Sequence, residues 1–335
     1  MARAWADQPE QEIRDGVQVL RQGGFDQSRF IYWDLLRDFY DGWFTRRRIP
    51  SAEVTVFNDL ALPMLVGNRR ELGALVVSLN RYPKGQFRFY RHVDLVTCGS
   101  RFVADGVTSQ APDFEDRVAV VPSAFEVDDF RASPDIPRQR QRILFAGRVH
   151  PEKGLETLIT AFRKIHRQRP ESSLAILGPW EPRQGGGGES YLSGLRGLAR
   201  DLPVEFLPPR FDISELALAY AEAGVFCLPS IAEQGECLPV APLEAMAAGC
   251  PVVVSNLSCF RDYAEDRRNM LVFDHRAGDA DTRLAACIGD IMDSPDLAGA
   301  LASAGLETAE RYSLENISAV YLDHFERLLE SRGSI

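Results

Sequence analysis

The stretch GECLPVAPLEAMAAGCPVVVS, residues 235–255, opens with an acid in a loop, runs through an apolar segment and ends in a run of valines. Pro242 stands at the first position of a predicted helix that carries Glu244 in its first turn, and Gly249 closes that helix before the strand PVVVS. A helix dipole favours an acid at Glu244, so on local grounds it is an ordinary helix-start carboxylate. Glu236, between Gly235 and CLPVAP, has no helix end or strand face to favour it; taken alone it is a solvated loop acid. Together the two acids can face one cleft and accept hydrogen bonds from hydroxyls, each worth about 1.5–3 kcal/mol to a charged group. Sugars offer such hydroxyls.

Working outward, ILFAG (143–147), SLAILG (173–178), VEFLP (204–208), VFCLPS (225–230) and PVVVS (251–255) alternate with stretches of helical length. Continuous apolar strands are what a parallel sheet covered on both faces requires. Asp212 and Glu215 form a capping-box-like start for the helix ISELALAYAEAG, which Gly224 is expected to end. The glycine run PRQGGGGES (182–190) reads as a flexible loop, since it does not join a strand end directly to a helix start. Upstream, AEVTVFND, ALVVSLN, VDLVTCGS and RVAVVPS form a second set of strands, while EQEIRDGVQVLRQGG (10–24) reads as helical. The polar stretch RASPDIPRQRQR (131–142) is the linker candidate.

The expected organisation is therefore an acceptor-side βα domain over residues 1–130, a Rossmann-like domain over 131–310, and a C-terminal amphipathic helix over 311–335. Ligands of open α/β sheets bind at the carboxyl ends of the strands, so the chemistry is expected in a cleft there.

Composition supports a globular two-domain chain: 335 residues, 45% hydrophobic and 26% charged. A net charge of -10 excludes nucleic acid as the main partner. Six cysteines without a CxxC pair read as reduced thiols, with no structural metal. The start lacks the features of a signal peptide and no apolar run is long enough to span a bilayer, so the expected location is the cytoplasm.

Strand ILFAG ends at Gly147, and Arg148 and Lys153 precede the helix LETLITAFRKIH. Cations at a helix amino end cost roughly 0.3–1 kcal/mol unless an anion sits among them. With the free N–H groups of the helix start they form a pocket for a diphosphate that needs no metal. The alternative is two solvated loop cations. His150 reads as a loop residue.

RILFAGRVHPEKGLETLITAF (142–162), AGVFCLPS (223–230) and the opening stretch resemble the donor-domain signature of the group 1 (family 4) retaining glycosyltransferases of the GT-B fold, and Glu236 to Glu244 is similar to that family's Glu, seven residues, Glu motif. The resemblance covers 143–274 well and 51–130 weakly. It implies two Rossmann-like domains facing a cleft and a nucleotide-sugar donor, with no cofactor and no metal. Arg148 and Lys153 would hold the diphosphate, Glu244 the ribose and Glu236 the transferred hexose. Backbone at Gly147, Leu238, Pro239 and Val240 would approach phosphates and sugar, with Gly178 and Arg210 near the nucleoside. Catalytic parts fall to Glu236, Arg148 and Lys153.

The chain departs from the family pattern at its start, where a strand and a Gly-Gly loop are usual, so the amino-terminal domain is expected to be shortened. Asn80 stands where the family often has a histidine; with Arg81 and Lys84 it marks the acceptor side, whose ligand is a saccharide, a lipid-linked species or a small molecule. The aromatics of RFIYWDLLRDFYDGWFTRRR (29–48) recur at helical spacing beside three arginines, and core packing is favoured over peripheral contact with the inner membrane face. The rival to an active transferase is an inactive protein of this fold that binds a nucleotide sugar or a partner.

Overall fold

The computed structural model describes residues 2–3, 8–22, 31–133 and 135–333. The chain divides into two compact units, one of residues 1–99, 103–120 and 322–335, the other of residues 100–102 and 121–321.

The first unit opens with β1 (Ala2–Arg3), β2 (Gln11–Arg14) and β3 (Val17–Gln22), in which β3 lies between the other two and pairs antiparallel with β2. This corrects the helix expected over 10–24. Asp15 and Gly16 both hold positive φ, 51° and 80°, and form the two-residue turn that Asp-Gly favours between strands. Arg21 pairs with Glu12 across the hairpin. Local turn chemistry outweighs helical spacing here. Gly23 and Gly24 lie outside the described residues.

There follow α1 (Ile31–Thr45), β4 (Val54–Phe57), α2 (Leu62–Leu65), β5 (Ala74–Leu79), β6 (Leu95–Cys98), α3 (Arg101–Gln110) and β7 (Val118–Val120). The four strands β4 to β7 form a parallel sheet in chain order. Every residue of β6 and Ala74–Val77 of β5 are buried, as expected for inner strands covered on both faces.

The aromatic stripe of α1 is not core. Tyr32, Trp33, Leu36, Tyr40, Trp43 and Phe44 are all exposed, whereas the side packed on α2 is the one with Gly42, close to Leu65 and Ala61. Periodicity marks a face of a helix but not what covers it. Arg29 and Phe30 of the same stretch lie outside the described residues.

The second unit contains β8 (Gln139–Ala146), α4 (Leu155–Gln168), β9 (Ser173–Leu177), α5 (Gly188–Leu198), β10 (Val204–Leu207), α6 (Ile213–Glu222), β11 (Ala223–Leu228), α7 (Ala241–Ala247), β12 (Val252–Ser255), β13 (Leu271–Phe273), α8 (Ala280–Asp293), α9 (Pro295–Glu310) and α10 (Leu314–Gly333), the last of which ends in the first unit. The polar stretch 131–142 lies within this second unit, where Arg138 donates to the carbonyls of Ala223 (2.6 Å) and Ala248 (2.9 Å).

Its six strands are all parallel, in the order β10-β9-β8-β11-β12-β13. The chain winds outward from β8 to β10, then crosses to β11 and winds the other way, so the winding reverses between β8 and β11. Loops leaving the carboxyl ends of two such strands diverge and open a crevice. Phe145, Phe162 and Phe226 fill the core around the sheet and are fully buried.

Asp212 caps α6 as expected, accepting from the Ser214 N–H at 2.8 Å. Gly224 does not end that helix. It lies in β11, where a Cβ would stand 2.3 Å from the Arg140 carbonyl oxygen, so the glycine serves close strand pairing instead.

Candidate functional site

Two loops leave the switch point. From β8 the chain runs through Gly147, Arg148 and His150 into a single tight turn, Pro151–Lys153, and then α4. His150 Nδ1 accepts from the Glu152 N–H at 3.3 Å and so caps that turn. From β11 the chain runs through Ser230 and Ile231 to Glu236, and the Ile231 N–H donates to the Glu152 carbonyl at 2.9 Å, joining the two loops.

This juxtaposition places Lys153 beside Glu236. The Lys153 ammonium bonds Glu236 Oε1, and the Ser230 hydroxyl donates to the same oxygen at 2.6 Å. The Ser255 hydroxyl, at the end of β12, holds the Ser230 carbonyl at 2.5 Å. Lys153 and Glu236 are each 8% exposed, so neither is the solvated loop charge that local sequence allows. A lysine and a glutamate almost never reach that burial unless paired.

Arg148 lies on the same loop between β8 and α4 and is half-exposed. One Nη donates to the Gly185 carbonyl at 3.0 Å and the other stands 3.7 Å from Glu152. Gly185 belongs to the glycine run, which is not a flexible loop. The N–H groups of Gly186, Gly187 and Gly188 donate to the carbonyls of Glu181, Val149 and Trp180 at 2.8–2.9 Å. A Cβ on Gly186 would fall 2.2 Å from the Trp180 carbonyl carbon, so the absence of side chains lets the loop lie against the backbone and present its carbonyl to Arg148. Gly178 and Gly147 also meet: a Cβ on Gly178, where φ is 145°, would be 1.9 Å from the Gly147 oxygen.

Glu244 lies in the first turn of α7, its N–H donating to the Val240 carbonyl at 3.0 Å. Its Oε2 accepts from the Tyr220 hydroxyl at 2.8 Å. Burial pushes the Glu244 carboxyl above its ordinary value, and the tyrosine hydrogen bond opposes the shift. Tyr220 is itself buried, with its ring against Phe226 and Phe130 at centroid distances of 5.4 and 6.0 Å. Phe130 ends the short DDF turn, 128–130. Leu238 is buried, and the Pro239 carbonyl accepts from the Tyr263 hydroxyl at 3.1 Å.

The structure thus gathers Gly147, Arg148, Lys153, Gly178 and Glu236 around the ends of β8, β9 and β11, with Leu238, Pro239, Val240 and Glu244 leading into α7. Arg210 follows the edge strand β10 and donates to the Glu215 carbonyl at 2.8 Å; among the described residues it makes no bond to Arg148 or Lys153. Asn80, Arg81 and Lys84 are exposed and follow the carboxyl end of β5 in the first unit. Ser230, Tyr220 and the Gly185 carbonyl join the site although the sequence reading passed over them. Ser230 carried a signal, being the polar residue that ends an otherwise apolar strand.

A six-stranded doubly wound sheet whose switch point carries a cationic turn against an acidic loop defines a ligand-binding α/β unit of the Rossmann type. The chain belongs to the family described as glycosyl transferases group 1, whose model matches residues 126–307. It is 33% identical over 213 residues to the phosphatidyl-myo-inositol mannosyltransferase of Mycolicibacterium smegmatis, covering 62% of this chain and 51% of that protein. It is 24% identical over 323 residues to the D-inositol 3-phosphate glycosyltransferase of Streptomyces avermitilis, covering 90% and 66%. The chain spans about half the length of the first of these relatives. Among solved structures, sucrose-phosphate synthase from Thermosynechococcus elongatus matches with a TM-score of 0.80 at 17% identity, covering 98% of this chain and 88% of that one. Anabaena HepE in complex with UDP matches with 0.73 at 17%, covering 94% and 86%. The fold is that of the GT-B glycosyltransferases, with parallel α/β sheets in both units.

Proposed function

We propose that the protein transfers a hexose from a nucleoside-diphosphate sugar to an acceptor, with retention at the anomeric carbon and without a metal ion. The observation that carries this reading is the buried Lys153–Glu236–Ser230 cluster at the switch point, with Arg148 on the same loop as Lys153. Family membership supports it, as do the names of the relatives and the UDP held by HepE.

In this reading Arg148, Lys153 and the N–H groups opening α4 face the diphosphate, and backbone at Gly147, Leu238, Pro239 and Val240 approaches it. Glu236 accepts from hydroxyls of the hexose, Glu244 from the ribose, and Gly178 and Arg210 border the nucleoside. As the bond from the anomeric carbon to the diphosphate oxygen breaks, its electron pair leaves with the diphosphate, and the acceptor oxygen bonds the carbon from the same face while its proton passes to the departing diphosphate oxygen. The cations meet more charge in the transition state than in the ground state, which is the condition for lowering the barrier. Lys153 is suited to the part because Glu236 already holds it in place, so little reorganisation accompanies the reaction. The acceptor falls to the first unit, with Asn80, Arg81 and Lys84 as its candidates, and the reaction is placed in the cytoplasm.

The test is hydrolysis and transfer with a panel of uridine, guanosine and adenosine diphosphate sugars and a set of acceptors. Lys153→Ala should lower turnover by roughly two to three orders of magnitude, the loss of one charge-stabilising contact. Undiminished turnover in that variant removes the assignment. Nucleotide binding without hydrolysis or transfer in wild type favours the binding protein instead.

A further inference from the structure

The face of α1 that carries Tyr32, Trp33, Leu36, Tyr40, Trp43 and Phe44 has no part in the donor site. Tyr32 is 79%, Tyr40 66% and Trp33 62% exposed, an unusual state for side chains of this size in a globular chain. At 3.6 residues per turn the six fall within about 120° of the helix circumference. Arg37 is exposed at one edge of this arc, and Arg47 and Arg48 are exposed in the turn that directly follows the helix. Arg47 and Arg48 form no ion pair among the described residues. Arg46 lies over the Trp43 ring, 3.3 Å from its centroid, with its Nη1 on the Leu65 carbonyl, which fixes that indole at the end of the helix. The acids of α1, Asp34, Asp38 and Asp41, are half-buried and lie outside the aromatic arc.

We propose that this face docks on an anionic bilayer surface. The chain carries a net charge of -10, so a face whose exposed groups are aromatic, aliphatic or cationic is a local exception to its overall charge. The chemistry matches the headgroup region of a bilayer. Tryptophan and tyrosine have an apolar body and a polar edge and settle at that depth. Arginines extend past them to lipid phosphates. A fifteen-residue helix of this kind lies in the plane of the interface. No described helix is long and apolar enough to cross the membrane, and the attachment is peripheral.

The experiment uses the full chain with mixed phosphatidylglycerol–phosphatidylcholine vesicles and with vesicles of phosphatidylcholine alone, following co-sedimentation and tryptophan emission. Wild type should bind the mixed vesicles with a blue-shifted emission, and raised salt should weaken binding. Arg47→Glu/Arg48→Glu should lose roughly thirtyfold or more in affinity and Trp33→Ser/Tyr40→Ser on the order of tenfold or more, both while keeping the wild-type melting temperature and nucleotide affinity. Binding no stronger than to phosphatidylcholine alone, or variants that bind like wild type, overturns the proposal. A concentration-dependent dimer that disappears in Trp33→Ser/Tyr40→Ser also overturns it and gives the face to a second copy. None of these outcomes depends on glycosyl transfer.

Discussion

Glu236→Gln separates the two duties of Lys153, its bond to Glu236 and its contact with the diphosphate. The substitution keeps the side-chain shape and a contact with Ser230 but removes the charge facing the ammonium. Lys153 is 8% exposed, so water cannot replace the lost carboxylate unless the loop opens. A hydrogen bond to a charged partner contributes about 1.5–3 kcal/mol, and for a unit of about 200 residues each kcal/mol moves the midpoint by about 2–4 °C. The unliganded variant should therefore melt roughly 3–12 °C below wild type. A bound diphosphate would then supply the missing negative charge, so a nucleoside diphosphate should restore more stability to the variant than it adds to wild type. If most of the lost interaction is recovered, affinity for the nucleotide rises about tenfold or more, while transfer falls because the hexose has lost its acceptor carboxylate. Thermal scans with and without UDP, GDP and ADP, paired with transfer assays, read both effects. Equal ligand-induced shifts in variant and wild type for every nucleotide would show that Lys153 does not face the diphosphate.

Tyr220→Phe tests how the second acid is tuned. If ionised Glu244 holds the ribose, nucleotide affinity falls as pH drops through its titration, which burial sets above the ordinary carboxylate range; loss of the hydroxyl that favours the carboxylate should move this acid limb to still higher pH and leave affinity in mildly alkaline buffer unchanged. Titrations of nucleotide affinity against pH check it, and coincident limbs in variant and wild type contradict it. Gly186→Ala places a methyl against the Trp180 backbone and should displace the Gly185 carbonyl from Arg148, lowering diphosphate affinity on the order of tenfold; calorimetry with UDP reads it. Glu244→Ala should raise the donor dissociation constant far more than it lowers turnover at saturation, which steady-state kinetics across donor concentrations resolves.

The parallel strands of the second unit were legible because a sheet covered on both faces demands continuous apolar runs, and ILFAG, SLAILG and VFCLPS supply them. The partnership of Lys153 and Glu236 was not, since 83 positions separate them and only the register of β8 beside β11 brings their loops together. PRQGGGGES looked flexible because glycine frees the backbone; here glycine serves close packing against Trp180 and Val149. The hairpin at Asp15–Gly16 was hidden by Ile13, Val17 and Leu20, whose spacing also suits a helix. Tyr220 appeared as one more apolar position of α6, and its hydroxyl acquires meaning only where α7 presents Glu244.

A crystal structure with an intact nucleoside-diphosphate sugar bound to the chain would show whether the loops after β8 and β11 hold the donor. The two phosphates should lie within hydrogen-bonding reach of Arg148 and Lys153, the hexose on Glu236 and the ribose on Glu244. A donor seated away from the loops that follow β8 and β11, with Lys153 and Glu236 still closed on each other and touching no part of it, would rule out this donor site.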